Sequence, residues 1–208
     1  MQPRLDMRHA AAPPEMQALS PDRRSDARFM TVYRLVKVQH AGDEGLGRCR
    51  NISDGGARLE LHMDLRLGEP VSIAFSSDDV VSGKVVWVRG NDYGIEFDTP
   101  IDCLDLLGHA RDRTAPRAPR LATNLPAKVS YDGGSCHSIV SDLSVRGMKI
   151  ASTHEFHPGL RVRVILDGGH ESEGVVRWTR DNIAGVMLLD PFSVEELGSV
   201  KRLSHWTD

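Results

Sequence analysis

The six residues N-I-S-D-G-G at positions 51–56 return as D-L-S-V-R-G at positions 142–147, ninety-one residues further along the chain. Both segments have an aspartate or asparagine, a serine two positions later and a glycine three positions after the serine. A repeat of this length is typical of a duplicated domain. We therefore predict that this chain of 208 residues contains two copies of one fold.

Other residues keep the same spacing. Four further pairs are separated by ninety-one positions: Gly68 and Gly159, Gly83 and Gly174, Trp87 and Trp178, and Gly94 and Gly185. One pair departs from this spacing, because Arg28 and Arg120 are ninety-two positions apart. We expect a longer loop at residues 40–47 of the first copy to accommodate the additional residue.

Within each copy the sequence is typical of short β-strands. Residues 71–75 alternate between apolar and polar side chains, and β-branched and aromatic residues fill 85–88 and 175–178. The D-G-G segments at 132–134 and 167–169 predict hairpin turns. About six short strands per copy favour an all-β fold, with two tandem six-stranded antiparallel barrels.

A short α-helix is predicted after each barrel. Apolar residues recur there at three-residue spacing: Ile101, Leu104 and Leu107 after the first barrel, and Val194, Leu197, Val200 and Leu203 after the second. Ser193 and Glu196 have the spacing of a capping box. Two interpretations of these stripes remain open: each helix closes the open end of its own barrel, or it binds a partner or a second copy.

Composition narrows the class of protein. The formal net charge of −3 and an aromatic content of 5% disfavour a protein that binds DNA or RNA, which needs a basic surface with stacking platforms. The three cysteines form an odd set without metal-ligand spacing, which indicates a reduced, cytoplasmic protein. No segment is apolar over the length that a membrane span needs.

The predicted organisation has three parts. Residues 1–22 lack the apolar region of a signal peptide and are expected to form a mobile tail. Residues 23–110 are expected to form the first barrel with its helix, and residues 111–208 the second barrel with its helix.

An R-x-x-x-R pair, Arg24 and Arg28, directly precedes the first strand pattern of the first copy. Arginine side chains donate charge-assisted hydrogen bonds to phosphate and stack on purine rings. The short polar side chains of Asn51 and Ser53 can hydrogen-bond the edge of such a ring, and the glycines allow close approach of the backbone. These residue types suit a guanine nucleotide with phosphodiester groups, and none of them needs to act as a catalytic residue.

Together with V-V-W at residues 85–87 and Y-G-I-E-F at residues 93–97, these motifs resemble the PilZ domain family. The resemblance covers residues 23–97 and again residues 117–189. It implies a six-stranded antiparallel barrel that binds the bacterial second messenger cyclic di-GMP. It also implies a set of ligand-binding residues in the first copy: Arg24, Arg28, Asn51, Ser53 and Gly56.

Two further residues have weaker assignments from the same resemblance. Arg23 resembles an additional arginine that helps to hold a second, stacked ligand molecule. Gly55 lies beside Gly56, where the backbone turns towards the ligand. The number of ligand molecules in the site therefore remains open between one and two.

The second copy departs from the family pattern. It keeps three motif residues, Asp142, Ser144 and Gly147. Arg120 is its nearest match to Arg28. Pro116 stands where the other arginine is then expected, or Ala115 if the one-residue slip lies earlier. We expect weak binding or none at this copy, and a role in docking against the first barrel or a partner.

Other interpretations compete with a ligand site. The serine motif also fits an ordinary turn whose side chains bond to nearby backbone, and the chain is then a ligand-independent PilZ-like scaffold for protein interactions. We expect Trp87 and Trp178 in the barrel core or at its edge rather than as stacking platforms. No metal site, cofactor or catalytic constellation is expected, because the histidines lack ligand spacing and no nucleophile has a base.

These observations predict a non-enzymatic cytoplasmic receptor for cyclic di-GMP. Ligand binding at the first barrel would rearrange the contacts between the barrels or with an outside partner. A downstream protein partner is expected, and a homodimer remains open.

Overall fold

The computed structural model describes residues 30–112 and 118–204, except for the side chains of residues 109–112. It contains two closed barrels of six antiparallel strands, each followed by a short helix. The predicted fold class is therefore confirmed.

The first barrel has six strands: β1 (Met30–His40), β2 (Asp43–Ser53), β3 (Gly56–Leu61), β4 (Pro70–Ala74), β5 (Val80–Arg89) and β6 (Asp92–Phe97). Their order around the barrel is β1-β2-β3-β6-β5-β4, and β4 pairs with β1 to close it. Alternate side chains point inward and form a core that includes Val36, Ile52, Leu59 and Ile73.

The second barrel repeats this plan with β7 (Leu121–Tyr131), β8 (Gly134–Ser144), β9 (Gly147–Ala151), β10 (Arg161–Leu166), β11 (Glu171–Arg180) and β12 (Ile183–Leu188). The strand order is equivalent, β7-β8-β9-β12-β11-β10. Every strand begins ninety-one positions after its equivalent in the first barrel. The hairpin turns predicted at residues 132–134 and 167–169 are both present.

The first hairpin contradicts the longer loop expected at residues 40–47. In both barrels the first two strands have 11 residues each and are joined by two residues. The turn of the first barrel is tight, because Ala41 and Gly42 both have positive φ, 47° and 72°. The additional residue of the first copy therefore precedes Met30, and at constant spacing Arg120 corresponds to Phe29 instead of Arg28.

Helix α1 (Cys103–Asp112) follows the first barrel. The carboxylate of Asp102 accepts a hydrogen bond from the backbone N–H of Leu104 at 3.0 Å and so caps the helix. The predicted apolar stripe is only partly right. Ile101 and Leu107 pack against the core, whereas the side chain of Leu104 is 57% exposed.

The C-terminal segment is divided where the sequence predicts one helix. A 3₁₀ helix (Glu196–Gly198) and α2 (Val200–Ser204) are separated by Ser199, which is extended. The predicted capping box is present: the N–H of Ser193 donates to the Glu196 carboxylate at 2.7 Å, and the N–H of Glu196 donates to the Ser193 hydroxyl at 3.1 Å. No helix in the described part of the chain is long and apolar enough to cross a membrane.

The same C-terminal segment contacts both barrels. On one side, Leu197 lies in the core of the second barrel. On the other side, Gly198 packs so closely on β2 that a Cβ atom at Gly45 would lie 1.9 Å from the Gly198 carbonyl oxygen. The hydroxyl of Ser199 donates to the carboxylate of Asp43 at 2.6 Å. The C-terminal stripe therefore closes its own barrel, and the segment also binds the first barrel.

The tip of the β1–β2 hairpin is anchored in the second barrel. Leu46 is only 1% exposed and belongs to the hydrophobic cluster of the second barrel. The carboxylate of Glu44 accepts a hydrogen bond from the N–H of Ala122 at 3.1 Å. The carboxylate of Asp43 accepts one from the N–H of Lys201 at 3.0 Å. One hairpin of the first barrel thus provides apolar and polar contacts to its neighbour.

Candidate functional site

Three of the predicted site residues, Arg23, Arg24 and Arg28, lie outside the described residues. The structure nevertheless defines where the chain that follows them joins the barrel. The first residues of β1, Met30 and Thr31, pair with Ile52 and Asn51 of β2. Strand β1, which follows the arginines in sequence, therefore begins directly beside the serine motif.

A cleft of about 370 Å³ lies on the first barrel where β2, β3, β6 and β5 are neighbours. Four predicted site residues line it: Asn51, Ser53, Gly55 and Gly56. Seven residues that the sequence pattern did not assign to the site also line it, among them Arg58, Trp87 and Glu96. The described part of the motif in the first copy is thus gathered on one concave surface.

The serine of the motif closes the β2–β3 turn. Ser53 is buried, and its hydroxyl donates to the carbonyl oxygen of Gly56 at 3.3 Å. Ser144 makes the equivalent bond to the carbonyl oxygen of Gly147 at 3.0 Å. Because a hydroxyl oxygen that donates still has lone pairs, Ser53 can accept a further hydrogen bond from a ligand.

The last glycine of the motif is needed for strand packing. A Cβ atom at Gly56 would lie 2.4 Å from the carbonyl oxygen of Ile95 on β6. A Cβ atom at Gly147 would lie 2.7 Å from the carbonyl oxygen of Val186. At Gly55, in contrast, an added Cβ meets nothing within 4 Å. The motif glycine therefore keeps β3 close to β6 in both barrels.

The side chain of Asn51 is partly exposed on the cleft. In the described part of the chain its amide has no hydrogen-bond partner. An amide offers both donors and acceptors in one plane. Asn51 is therefore the motif residue whose hydrogen-bonding groups are most open to a ligand.

Asp54, within the motif, ties the turn to helix α1. Its carboxylate accepts a hydrogen bond from the N–H of Cys103 at 3.1 Å, and its carbonyl oxygen accepts one from the N–H of Ile101 at 2.9 Å. No motif or spacing in the sequence connects these distant positions. The turn that shapes the cleft is thus held by the start of the helix.

Trp87 forms one wall of the cleft. It is 42% exposed, and its indole ring lies on Gly94, where a Cβ atom would be 1.9 Å from the ring nitrogen. Trp178 lies on Gly185 in the same way in the second barrel. The expectation of a core or edge residue therefore needs revision, because the indole is partly exposed within the lining of the cleft. In the sequence, Trp87 and Gly94 both recur ninety-one positions later, as Trp178 and Gly185, and this shared spacing is the signal that links the two residues.

Arg58 pairs with Asp92 at the margin of the cleft. The guanidinium donates through Nε at 3.1 Å and through Nη2 at 2.8 Å, one bond to each carboxylate oxygen. The hydrogen bond from Arg58 lowers the pKa of Asp92. The cation is therefore neutralised within the first barrel and held in a fixed direction.

Asp142, the equivalent of Asn51 in the second copy, is already paired with cations. The carboxylate of Asp142 binds Arg120, and its other oxygen lies 3.3 Å from Nζ of Lys149. Lys149 lies directly opposite Asp142 in the β8–β9 register. The acidic group of the degenerate motif is thus satisfied by two cations of its own barrel.

The described residues include two buried thiols, Cys49 and Cys103, and no group arranged to bind a metal ion. Burial raises the pKa of Cys49 to about 12 and that of Cys103 to about 11, so both thiols stay protonated at neutral pH. Within residues 30–112 and 118–204, no group of three or more His, Cys, Asp or Glu residues is placed to hold a metal ion. The arrangement at the cleft is suited to hydrogen bonding and stacking.

A comparison with known families matches both repeats. Residues 22–106 and 112–205 each match the family model described as the PilZ domain. No curated protein matches the chain. The family match therefore includes the second copy, although its motif is incomplete.

Solved structures give more distant similarities. PlzA of Borreliella burgdorferi in complex with c-di-GMP is 16% identical, with 83% of this chain and 86% of that chain covered and a TM-score of 0.34. The inhibitor of motility of Bacillus subtilis (MotI/DgrA) is 12% identical, with 81% and 94% covered and a TM-score of 0.34. YcgR of Escherichia coli in complex with c-di-GMP is 11% identical, with 76% and 75% covered and a TM-score of 0.28.

Proposed function

The chain belongs to the PilZ domain family, and from this premise we propose that its first barrel binds cyclic di-GMP. In this proposal the protein is a cytoplasmic receptor without enzymatic activity. The ligand changes how the two barrels, or the protein and a partner, pack against each other. Arg24, Arg28, Asn51, Ser53 and Gly56 form the proposed site.

The observation that carries the proposal is the entry of β1 beside the cleft. Thr31 pairs with Asn51, and Arg28 lies only two residues before Met30. Its Cα atom is therefore within about 7 Å of that of Met30, and Arg24 is within about 21 Å. A segment of this length can fold over the cleft and place both guanidinium groups on a ligand there.

The chemistry of the cleft suits the two parts of a cyclic dinucleotide. Guanidinium groups bind phosphate oxygens through charge-assisted hydrogen bonds. The amide of Asn51 can donate to and accept from the edge of guanine, and the exposed indole of Trp87 offers a face on which a base can stack. None of these interactions forms or breaks a covalent bond.

The β1–β2 hairpin offers a direct route from the cleft to the second barrel. Strand β2 runs from Asp43, which binds the C-terminal segment, to Ser53, which closes the motif turn. Its 11 residues span about 35 Å. A ligand bound by the arginines that precede β1 would therefore act on the strand pair that carries the interbarrel contacts.

One observation favours a second function, a ligand-independent scaffold. Ser53 and Ser144 make the same turn-closing bond, although only the first copy has the arginine pair. On this alternative the motif is retained for the turn, and the arginines bind an acidic protein surface. Partner binding would then weaken with salt, and cyclic di-GMP would give no binding heat.

Calorimetric titration of the full chain with cyclic di-GMP tests the proposal. We expect saturable binding by the wild type and roughly tenfold weaker binding by Asn51→Ala, which loses about one hydrogen bond. Asp142→Ala is the matched control in the second barrel and should bind like the wild type. The stoichiometry distinguishes one ligand molecule from a stacked pair that also involves Arg23.

Two results would count against the proposal. No heat with the wild type would favour the scaffold. Equal affinity of the wild type and Asn51→Ala would remove the cleft from the binding site.

A further inference from the structure

A row of apolar side chains crosses the outer face of the second barrel. Its members are register partners on four neighbouring strands: Pro126 on β7, Ile139 on β8, Ala151 on β9 and Ile183 on β12. None of the four is fully buried, and each is adjacent in sequence to a residue of the barrel core. Because side chains alternate along a strand, this apolar row points outward.

The first barrel has charged residues at three of the four equivalent positions. The row there consists of Leu35, Arg48, Glu60 and Asp92, which are paired in the same register. Arg48 and Glu60 form an ion pair of 3.0 Å, and Asp92 binds Arg58. The second barrel thus has isoleucine or alanine at three positions where the first barrel has ion-paired charged residues.

Lys128 and Asp181, which carry opposite charges, flank the apolar row at its two ends, and Asp167 lies beside Pro126 at the β7 end. The row lies in a groove of about 890 Å³, whose lining also includes Lys128 on β7 and Asp181 just before β12. Neither Lys128 nor Asp181 has an ion-pair partner in residues 30–112 and 118–204. An outward apolar surface bordered by unpaired charges is typical of an interface.

We infer that the apolar row is a homodimer interface, on which a second copy of this chain places the same row. Most soluble homodimers have twofold symmetry, in which one patch contacts itself. A twofold axis that lies in the plane of the interface, perpendicular to the row, brings the β7 end of one copy onto the β12 end of the other. Lys128 of each copy then meets Asp181 of the other, so the charges of the patch complement each other.

The ligand cleft and this face are on different barrels and share no residue. Dimerisation through the apolar row therefore does not depend on cyclic di-GMP binding. Failure of one proposal leaves the other standing.

Sedimentation velocity of the full chain without ligand, over a range of concentrations, tests the inference. We expect a dimer for the wild type and at least tenfold weaker dimerisation for Ile139→Arg/Ala151→Glu, because charges would replace apolar contacts in the interface. This pair of substitutions installs the residues found at the equivalent register pair, Arg48 and Glu60, which the fold of the first barrel accommodates. Arg177→Ala, an exposed change outside the groove, should dimerise like the wild type.

A charge-reversal series gives a second readout that leaves the apolar row intact. Lys128→Asp and Asp181→Lys should each weaken the dimer, and the two together should restore it. The inference is overturned if the wild type stays monomeric, even where another protein binds this face. It is also overturned if a folded Ile139→Arg/Ala151→Glu dimerises normally. Should that variant fail to fold, as judged by thermal unfolding, the charge-reversal series decides.

Discussion

The two copies of the serine motif have the same turn but different surroundings. In both barrels the serine hydroxyl bonds the carbonyl oxygen of the motif glycine, and that glycine packs against a neighbouring strand. The first residue of the motif differs. In the described chain the amide of Asn51 is unpaired, whereas Asp142 is bound by Arg120 and Lys149.

In our proposal, this difference means that the residues of the motif have two separate roles, one in the turn and one in ligand binding. The serine and the glycine maintain the hairpin and are present in both barrels. Asn51 is open to a ligand because Arg58, the cation directly opposite it, is bound by Asp92 instead. Retention of the motif is therefore evidence for the fold, and an open first residue is the better indicator of a site.

Removal of an arginine should give the largest difference between the two copies, in the affinity for cyclic di-GMP. Arg28→Ala removes a charge-assisted contact of about 1.5–3 kcal/mol, which corresponds to roughly tenfold to hundredfold weaker binding of cyclic di-GMP. Arg120→Ala should leave the affinity unchanged, because Arg120 is engaged by Asp142. Calorimetric titration of both variants checks this. Equal losses in the two variants would mean that both barrels bind.

The motif glycines should show the next largest effect, on stability. A methyl group at Gly56 or Gly147 meets a backbone oxygen at 2.4 Å or 2.7 Å, so alanine at either position forces a backbone shift. We expect a loss of about 1–3 kcal/mol in the free energy of unfolding for each variant. Denaturant unfolding measures it, and Gly55→Ala is the matched control because it meets nothing within 4 Å. A loss of the same size in Gly55→Ala would refute the packing explanation.

The serines should show a smaller effect that is similar in both copies. Ser53→Ala and Ser144→Ala each remove one turn-closing hydrogen bond, and we expect a loss of about 1 kcal/mol in stability from each. Only Ser53→Ala should also weaken ligand binding. If it destabilises the barrel but binds normally, Ser53 acts in the turn alone.

The ion pair of Arg58 and Asp92 should give the smallest effect, which is present at neutral pH and lost in acid. Asp92 has a lowered pKa because Arg58 donates to its carboxylate, so the pair stabilises the folded protein at neutral pH. That stabilisation is lost as the pH falls through the lowered pKa, below the usual value of 3.8. The second barrel has Ile183 at the position equivalent to Asp92.

Denaturant unfolding of the wild type and Asp92→Asn over this pH range tests the effect. The difference between them should be small, because both partners are partly exposed to solvent, and should vanish at the acid end. A difference that persists at low pH would show that the ion pair is not its source.

Much of the fold could be predicted from the period and the turn residues. The shared spacing of Trp87 and Gly94 with Trp178 and Gly185 predicts two equivalent barrels, and the structure keeps that spacing in every strand. Sequence also placed Asn51 and Ser53 together, because they are two residues apart on one strand. The face of a strand on which a side chain lies is set by local geometry, and the alternation of apolar and polar residues in the sequence indicates it.

Long-range contacts explain what the sequence did not predict. The predicted C-terminal helix is interrupted because Ser199 bonds Asp43 of the other barrel, 156 residues away. The link between Asp54 and Cys103 spans 49 residues, and no periodic pattern signals it. The neutralisation of Asp142 depends on Lys149 being opposite to it in the strand register, which follows only once the β8–β9 pairing is known.

The position of Leu46 has a consequence for how the protein unfolds. By sequence this residue belongs to the first barrel, but it is buried in the hydrophobic cluster of the second. Separation of the barrels would expose Leu46 and the surface that covers it, so each half would lose stability that the intact chain has. We therefore expect the repeats to melt in one cooperative transition. The unit of evolution in this chain is one barrel, whereas its unit of stability is the pair.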